Sequence, residues 1–197
     1  MQTELEATFI KINPSQYREK LKGLGAYLVQ PETLMRRKVF DYPDNRLRKV
    51  GGWVRVRDEG KKITLSYKQL VDRSLHGTKE TVVVVNDFNQ TVELLKDIGL
   101  IEKSYQETKR EVWQLNGCEI TIDTWPWISP FTEIEGQNED DIKECANKLG
   151  FNWDNALHGS VENIYQEEYG VTEDKINDWK RIVFEPVPEW LEAKRKK

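Results

Sequence analysis

Cysteine is almost missing from this 197-residue chain, which has only Cys118 and Cys145. Two thiols so far apart match no metal-binding spacing and build no disulfide framework, so both read as free thiols of an intracellular protein. Long apolar runs are missing too. Nothing approaches the ~18 residues that a membrane-crossing helix needs, and no basic-then-apolar leader opens the chain. A cytoplasmic protein with no membrane partner is the expectation. Nor does one sign of charge dominate: 34 acids stand against 30 bases, a net charge of -4, so no global field points to nucleic acid. The two histidines, His76 and His158, sit alone in the loops LHGT and LHGS and read as structural or solvent-facing. Fixed-period repeats and low-complexity linkers are lacking, apart from the tail EAKRKK, which reads as a solvated end. The length therefore sets one main domain with a sizeable core. The glycines at 51–52 follow no strand-to-helix pattern and form no phosphate loop.

What the chain does have is charge, at 32% of residues against about 25% in typical soluble domains. That charge is segregated. Residues 36–68 are cationic, with Arg36, Arg37, Lys38, Arg46, Arg48, Arg55, Arg57 and Lys68, whereas 133–174 is acidic. A near-neutral sum can conceal a local positive cavity.

Alternating patterns predict strands over 3–12, LMRRKVFDYP, TKETVVVVND and SPFTEIEG. Two hairpins are predicted as well, GWVRVRD with ITLSYKQ around DEGK, and a second turning on Asn116-Gly117, a type I′ signal. Helices are predicted from Asn13 to Gly25, from Asp87 to Gly99 and from Asn138 to Gly150, each with a capping residue before and a glycine after. Beyond 150 the chain reads as helical and irregular. Seven or eight strands with three helices indicate an α+β fold, a curved antiparallel sheet or barrel with helices outside.

Residues i and i+2 share a strand face. Glu4, Glu6 and Thr8 then oppose Leu5, Ala7 and Phe9. Arg55 and Arg57 oppose Val54 and Val56, Ser66 and Lys68 oppose Leu65 and Tyr67, Glu119 and Asp123 oppose Ile120 and Ile122, and Glu133 and Glu135 oppose Ile134. One wet face on a single strand is ordinary. The joint pattern says more: helices can cover the apolar faces, so the charged faces line the inside of the curved sheet. Glu-x-Glu pairs offer hard oxygen ligands suited to Mg²⁺ or Mn²⁺, and rows of arginine and lysine suit phosphate oxygens.

The segments ELEATF, WVRVRD, LSYK, Lys79-Glu80, KREVW and ITIDTWPWISPFTEIEG occur here in the order of the CYTH family. The chain resembles that family over roughly residues 2–170, the most specific part being Asp123-x-x-Pro126 followed by Phe131-x-Glu133-Ile134-Glu135. Also called triphosphate tunnel metalloenzymes, the family includes class IV adenylate cyclases, thiamine triphosphatases and inorganic tripolyphosphatases. The resemblance implies an eight-stranded antiparallel β-barrel over 1–170, helices outside, and a helical extension over 171–197. By position, Glu4, Glu6, Asp123, Glu133 and Glu135 resemble its metal carboxylates, so Mg²⁺ or Mn²⁺ is the implied cofactor. Arg55, Arg57, Lys68 and Arg110 resemble its phosphate binders, and Glu80 matches a family acid. By the same likeness Glu4, Glu6, Lys68 and Arg110 are the implied catalytic group. Of Arg36 and Arg37, both candidate substrate binders, only one can face inward.

Two activities follow from the resemblance: hydrolysis of a nucleoside triphosphate, thiamine triphosphate or inorganic tripolyphosphate, and cyclisation of ATP. Homodimer formation is left open. The family lysine after the first Glu-x-Glu is here Thr8, which supports an alternative, a non-catalytic binder of nucleotide or polyphosphate. A second family acid is Val82, and the cation expected before Arg110 is Thr108.

Overall fold

The computed structural model describes residues 1–196, so Lys197, the end of the basic tail, lies outside the described residues. Strands β1 (Gln2–Glu4) and β2 (Glu6–Phe9) are halves of one extended run broken at Leu5. They are followed by α1 (Pro14–Gly23), β3 (Tyr27–Asp41), β4 (Gly52–Asp58), β5 (Ile63–Leu70) and β6 (Thr78–Val85). Next come α2 (Phe88–Asp97), β7 (Ile101–Leu115), β8 (Cys118–Thr124), β9 (Thr132–Glu135) and α3 (Glu139–Lys148). The chain ends with α4 (Glu162–Tyr169), α5 (Glu173–Asn177), β10 (Arg181–Ile182) and α6 (Glu189–Glu192).

The strands follow the order β1-β6-β5-β4-β3-β7-β8-β9-β2. That order starts and finishes on the two halves of the first run, β1 pairing with β6 and β2 with β9. The break at Leu5 lets one strand bridge both edges and closes the sheet into an antiparallel barrel. Counted as one strand, β1 and β2 bring the barrel to the expected eight. The short β10 adds parallel to β7.

Local chemistry places these elements as the sequence indicates. The side chains of Asn13, Asp87 and Asn138 accept the backbone N–H three residues on, at 3.1, 2.8 and 2.9 Å, and so start α1, α2 and α3. Asn116 and Gly117 both take positive φ, 51° and 84°, as a type I′ turn requires.

The apolar strand faces point outward, under the helices. Tyr17 and Leu21 of α1 and Ile142, Cys145 and Ala146 of α3 bury against Phe9, Trp113, Ile120 and Ile134. Val92 and Leu95 of α2 bury against Phe40 and Val56. Each such large side chain contributes about 1.5–3 kcal/mol, and this outward use of the apolar faces turns the charged ones inward. Cys118 and Cys145, far apart in sequence, meet in the first of these cores as free thiols. A third cluster joins Ile164, Tyr165 and Tyr169 of α4, Ile176 of α5 and Leu191 to Trp125, Ile128 and Phe131. Residues beyond 170 are further tied to the barrel by Arg48, which pairs with Asp174 and Asp178, and by Arg73, which pairs with Glu173. Among the described residues no helix is long and apolar enough to cross a membrane.

Candidate active site

The barrel encloses a cavity of about 810 Å³. On its cationic wall Arg37 of β3 is the direct cross-strand partner of Arg57 of β4. Arg37 is only 6% exposed; it donates to Thr108 Oγ1 at 2.7 Å, and its guanidinium lies 4.7 Å from the centre of the Trp125 ring. Arg55 pairs with Glu80 at 3.2 Å, Arg57 with Glu59 at 2.7 Å, and Lys68 with Glu4 at 2.7 Å. Arg110 of β7 bridges Asp123 at 2.7 Å and Glu133 at 2.5 Å.

These cations are crowded. Burial, then the neighbouring Arg57, pushes Arg55 down to about 9. Burial also lowers Arg37, with Arg55, Arg57 and Arg110 adding repulsion. A guanidinium stays protonated at neutral pH, so this crowding of buried positive charge favours an anion beside the wall. Three buried donors point to the same need: Arg37 Nε, Arg55 Nε and Ser66 Oγ have no hydrogen-bond partner among the described residues.

The opposite wall lacks cations. Glu6 of β2 is the register partner of Glu135 of β9, which is the partner of Glu119 of β8. Burial, then Glu133, raises Glu6 to about 8; burial raises Glu4 to about 7; burial and Glu119 raise Glu135. Glu133 differs: Arg110 and Lys68 overcome its burial and hold it below the usual range. Desolvated carboxylates that keep protons near neutrality are a donor set a divalent cation fits, in charge and in oxygen chemistry. Their oxygens are not yet gathered for ligation: among the described residues no three Asp, Glu, His or Cys side chains form a ready metal cluster.

The raised carboxylates set a pH dependence. Glu4 and Glu6 have an ordinary value of 4.5 and hold protons in the folded chain up to about 7 and 8. Between these values the folded state binds more protons than the unfolded one, so their contribution to stability falls as pH rises from about 5 to about 8. Urea unfolding of metal-free protein at pH 5.5 and pH 8 checks the sign. Saturating Mg²⁺ should flatten the slope, and so should Glu6→Gln.

The family described as CYTH domain matches residues 3–164. The chain belongs to the CYTH domain family. Solved structures share its fold. A candidate adenylate cyclase from Vibrio parahaemolyticus superposes with TM-score 0.71 at 14% identity, covering 83% of this chain and 97% of that one. A conserved hypothetical protein from Pyrococcus furiosus gives 0.65 at 23% identity, covering 78% and 94%. A candidate adenylyl cyclase from Hippeastrum, described as having a dominant triphosphatase activity, gives 0.59 at 14%, covering 88% and 94%. No curated protein sequence matches the chain.

The CYTH barrel brings Glu4, Glu6, Arg37, Arg55, Arg57, Lys68, Glu80, Arg110, Glu133 and Glu135 to one cavity, with Asp123 buried behind Arg110. Arg36 is the exception and corrects the expectation that grouped it with the substrate binders. Strand alternation sends it outside, to pair with Asp58 at 2.6 Å with its side chain 56% exposed. Trp53, Glu119 and Glu162 also line the cavity but were not singled out from the sequence. The first two shared faces with predicted site residues, a usable signal. His158 lies close to the first Glu-x-Glu, its Nδ1 3.3 Å from the Glu6 carbonyl oxygen. Trp125 packs under Arg37, and Trp127 donates to the Glu185 carbonyl oxygen.

Thr8 is 7% exposed and pairs in register with Glu133. The backbone of Leu157 bonds it on the other edge, and residues 157–161 roof its side chain, leaving a void of about 10 Å³. That is room for one water. Thr8→Lys is therefore expected to lower stability by about 1–3 kcal/mol through overpacking, with no gain in turnover. Thermal melts and rate measurements on the variant check both parts.

Proposed function

We propose that this CYTH protein is a divalent-metal-dependent triphosphatase that holds its substrate along the barrel axis. The observation that carries this reading is the facing of two unsatisfied walls in one lumen. Four crowded arginines, two of them with an unpartnered Nε, stand on one side, and a row of crowded, desolvated carboxylates on the other. A triphosphate chelated to a divalent cation satisfies both.

In this reading Arg37, Arg55, Arg57 and Arg110 take non-bridging phosphate oxygens. Asp123 and Glu133 hold Arg110 in place. Lys68 exchanges its contact with Glu4 for phosphate, and Glu80 steers Arg55. Glu4, Glu6, Glu133 and Glu135 would hold Mg²⁺ or Mn²⁺, with Asp123 as a further carboxylate. When bound, the metal neutralises phosphate charge and lowers the pKa of a coordinated water. Phosphoryl transfer rests mainly on such positioning and charge neutralisation. With water as acceptor, its oxygen bonds the terminal phosphorus as the bond from that phosphorus to the bridging oxygen breaks, so orthophosphate and the shortened phosphate chain leave and the proton of the water passes to solvent. The dominant triphosphatase activity in the description of the Hippeastrum protein fits this reading, whereas the description of the Vibrio protein as an adenylate cyclase fits cyclisation. A second reading, a binding-only protein, is favoured by one observation: the roofed Thr8.

The test is a panel with Mg²⁺ or Mn²⁺ and, separately, ATP, GTP, thiamine triphosphate and inorganic tripolyphosphate. Orthophosphate, pyrophosphate and cyclic nucleotide are read together. Orthophosphate release is expected. Cyclic AMP with pyrophosphate would replace hydrolysis by cyclisation, and binding without turnover would establish the second reading.

A further inference from the structure

Helix α4 turns one charged residue toward the barrel. Glu162, Tyr165 and Tyr169 follow each other at helical spacing and share a face. Tyr165 and Tyr169 are buried, and their hydroxyls donate to the carbonyl oxygens of Pro126 and Trp127. Those anchors fix the rotation of the helix, and Glu162, one turn earlier, reaches the cavity wall. The residue as a whole is half-buried, but its Oε2 is buried and has no hydrogen-bond partner among the described residues. Arg73 pairs with Glu173, and no salt bridge to Glu162 forms among the described residues.

A buried acceptor without a donor is destabilising, and a ligand that brings the donor removes that penalty. The placement says which part of a ligand this is. A Cβ at Gly159 would meet the Leu70 methyls at 3.6 Å, so the two residues are neighbours, and the Leu70 amide donates to the Gly51 carbonyl oxygen. The 159–162 turn thus stands at the end of the cavity where β4 begins with Gly52 and Trp53, and Arg55 and Arg57 lie further along. A cavity of about 810 Å³ is in the range of sites for organic ligands, about 300–1,000 Å³, and a phosphate chain alone leaves much of it unfilled.

We propose that Glu162 is a specificity-determining residue that accepts a hydrogen bond from an N–H or cationic group on the organic head of the triphosphate. This rests on the triphosphate reading above and selects, within it, organic substrates with such a head over inorganic tripolyphosphate. The side chain makes no contact with the phosphates. It sets which head group is held while the arginines hold the chain, so its loss acts on discrimination and on KM.

The experiment compares wild type, Glu162→Gln and Glu162→Ala on ATP, thiamine triphosphate and tripolyphosphate, with calorimetric affinities beside the rates and circular dichroism to check folding. In Glu162→Ala the ratio of organic to inorganic kcat/KM should fall about 10- to 100-fold, mostly through KM. The isosteric Glu162→Gln keeps an acceptor, so it should retain an N–H head better than a cationic one. An equal loss on all three substrates, with the ratio unchanged in rate and affinity, would overturn the role of Glu162 and leave the triphosphate reading standing. A wild-type chain that neither binds nor turns over any triphosphate would overturn both.

Discussion

Replacing Glu133 and Glu135 together by glutamine should lower metal-dependent turnover at least about 100-fold while the barrel stays folded. Glutamine keeps the shape of each side chain and an acceptor oxygen, so Arg110 retains a partner at position 133. What disappears is negative charge on the wall where Glu6, Glu135 and Glu119 stand side by side. The barrel should stay folded, because burial already disfavours ionised Glu135 and Arg110 keeps its ion pair with Asp123 when Glu133 loses its charge. Metal affinity should not tolerate it, because a hard cation needs ionised oxygens. Phosphate release measured over a Mn²⁺ titration, with a melting curve for each protein, separates the two effects. Unchanged turnover would remove both residues from the site.

Arg110→Met should show the largest effect on stability. Arg110 is the cation between Asp123, which is fully buried, and Glu133. Breaking a buried ion pair from one side leaves uncompensated charge and costs about 3–5 kcal/mol. Asp123 is already raised by its burial even with Arg110 present, so removal of the arginine should drive it further toward the neutral acid. Adding Asp123→Asn to Arg110→Met should recover part of the loss, since the amide needs no counter-ion. Urea unfolding of the two single variants and the double variant gives the coupling. Additive losses would show that the two residues act independently.

The inward and outward faces of this barrel were legible because a strand repeats every two residues. Arg55 with Arg57 and Glu133 with Glu135 therefore fell on the lumen side without any knowledge of the closure. Caps and turns were legible for the same local reason: Asn13, Asp87, Asn138 and Asn116-Gly117 act on their own neighbours. Local reasoning stopped at Arg36 and Arg37. Adjacent residues on one strand must face opposite ways, and irregularities in the pairing of β3 with β7 near residues 28–33 and 39–40 prevent counting inward from the strand ends. The break at Leu5, which lets one strand close two edges, left no mark in the alternation. The roof over Thr8 and the entry of Glu162 into the cavity come from chain 150 residues downstream in the sequence, and only tertiary packing brings them there. Glu119 was on a face already identified as charged, and the missing step was to place that face beside Glu135.

In the function proposed here, one lumen holds a triphosphate on its arginines and a divalent cation on its glutamates. A crystal structure with Mn²⁺ and a non-hydrolysable triphosphate tests it most directly. The predicted result is an anomalous peak among Glu4, Glu6, Glu133 and Glu135, with phosphate oxygens on Arg37, Arg55, Arg57 and Arg110. Phosphates bound outside the barrel, with those arginines still paired only to protein, would contradict it.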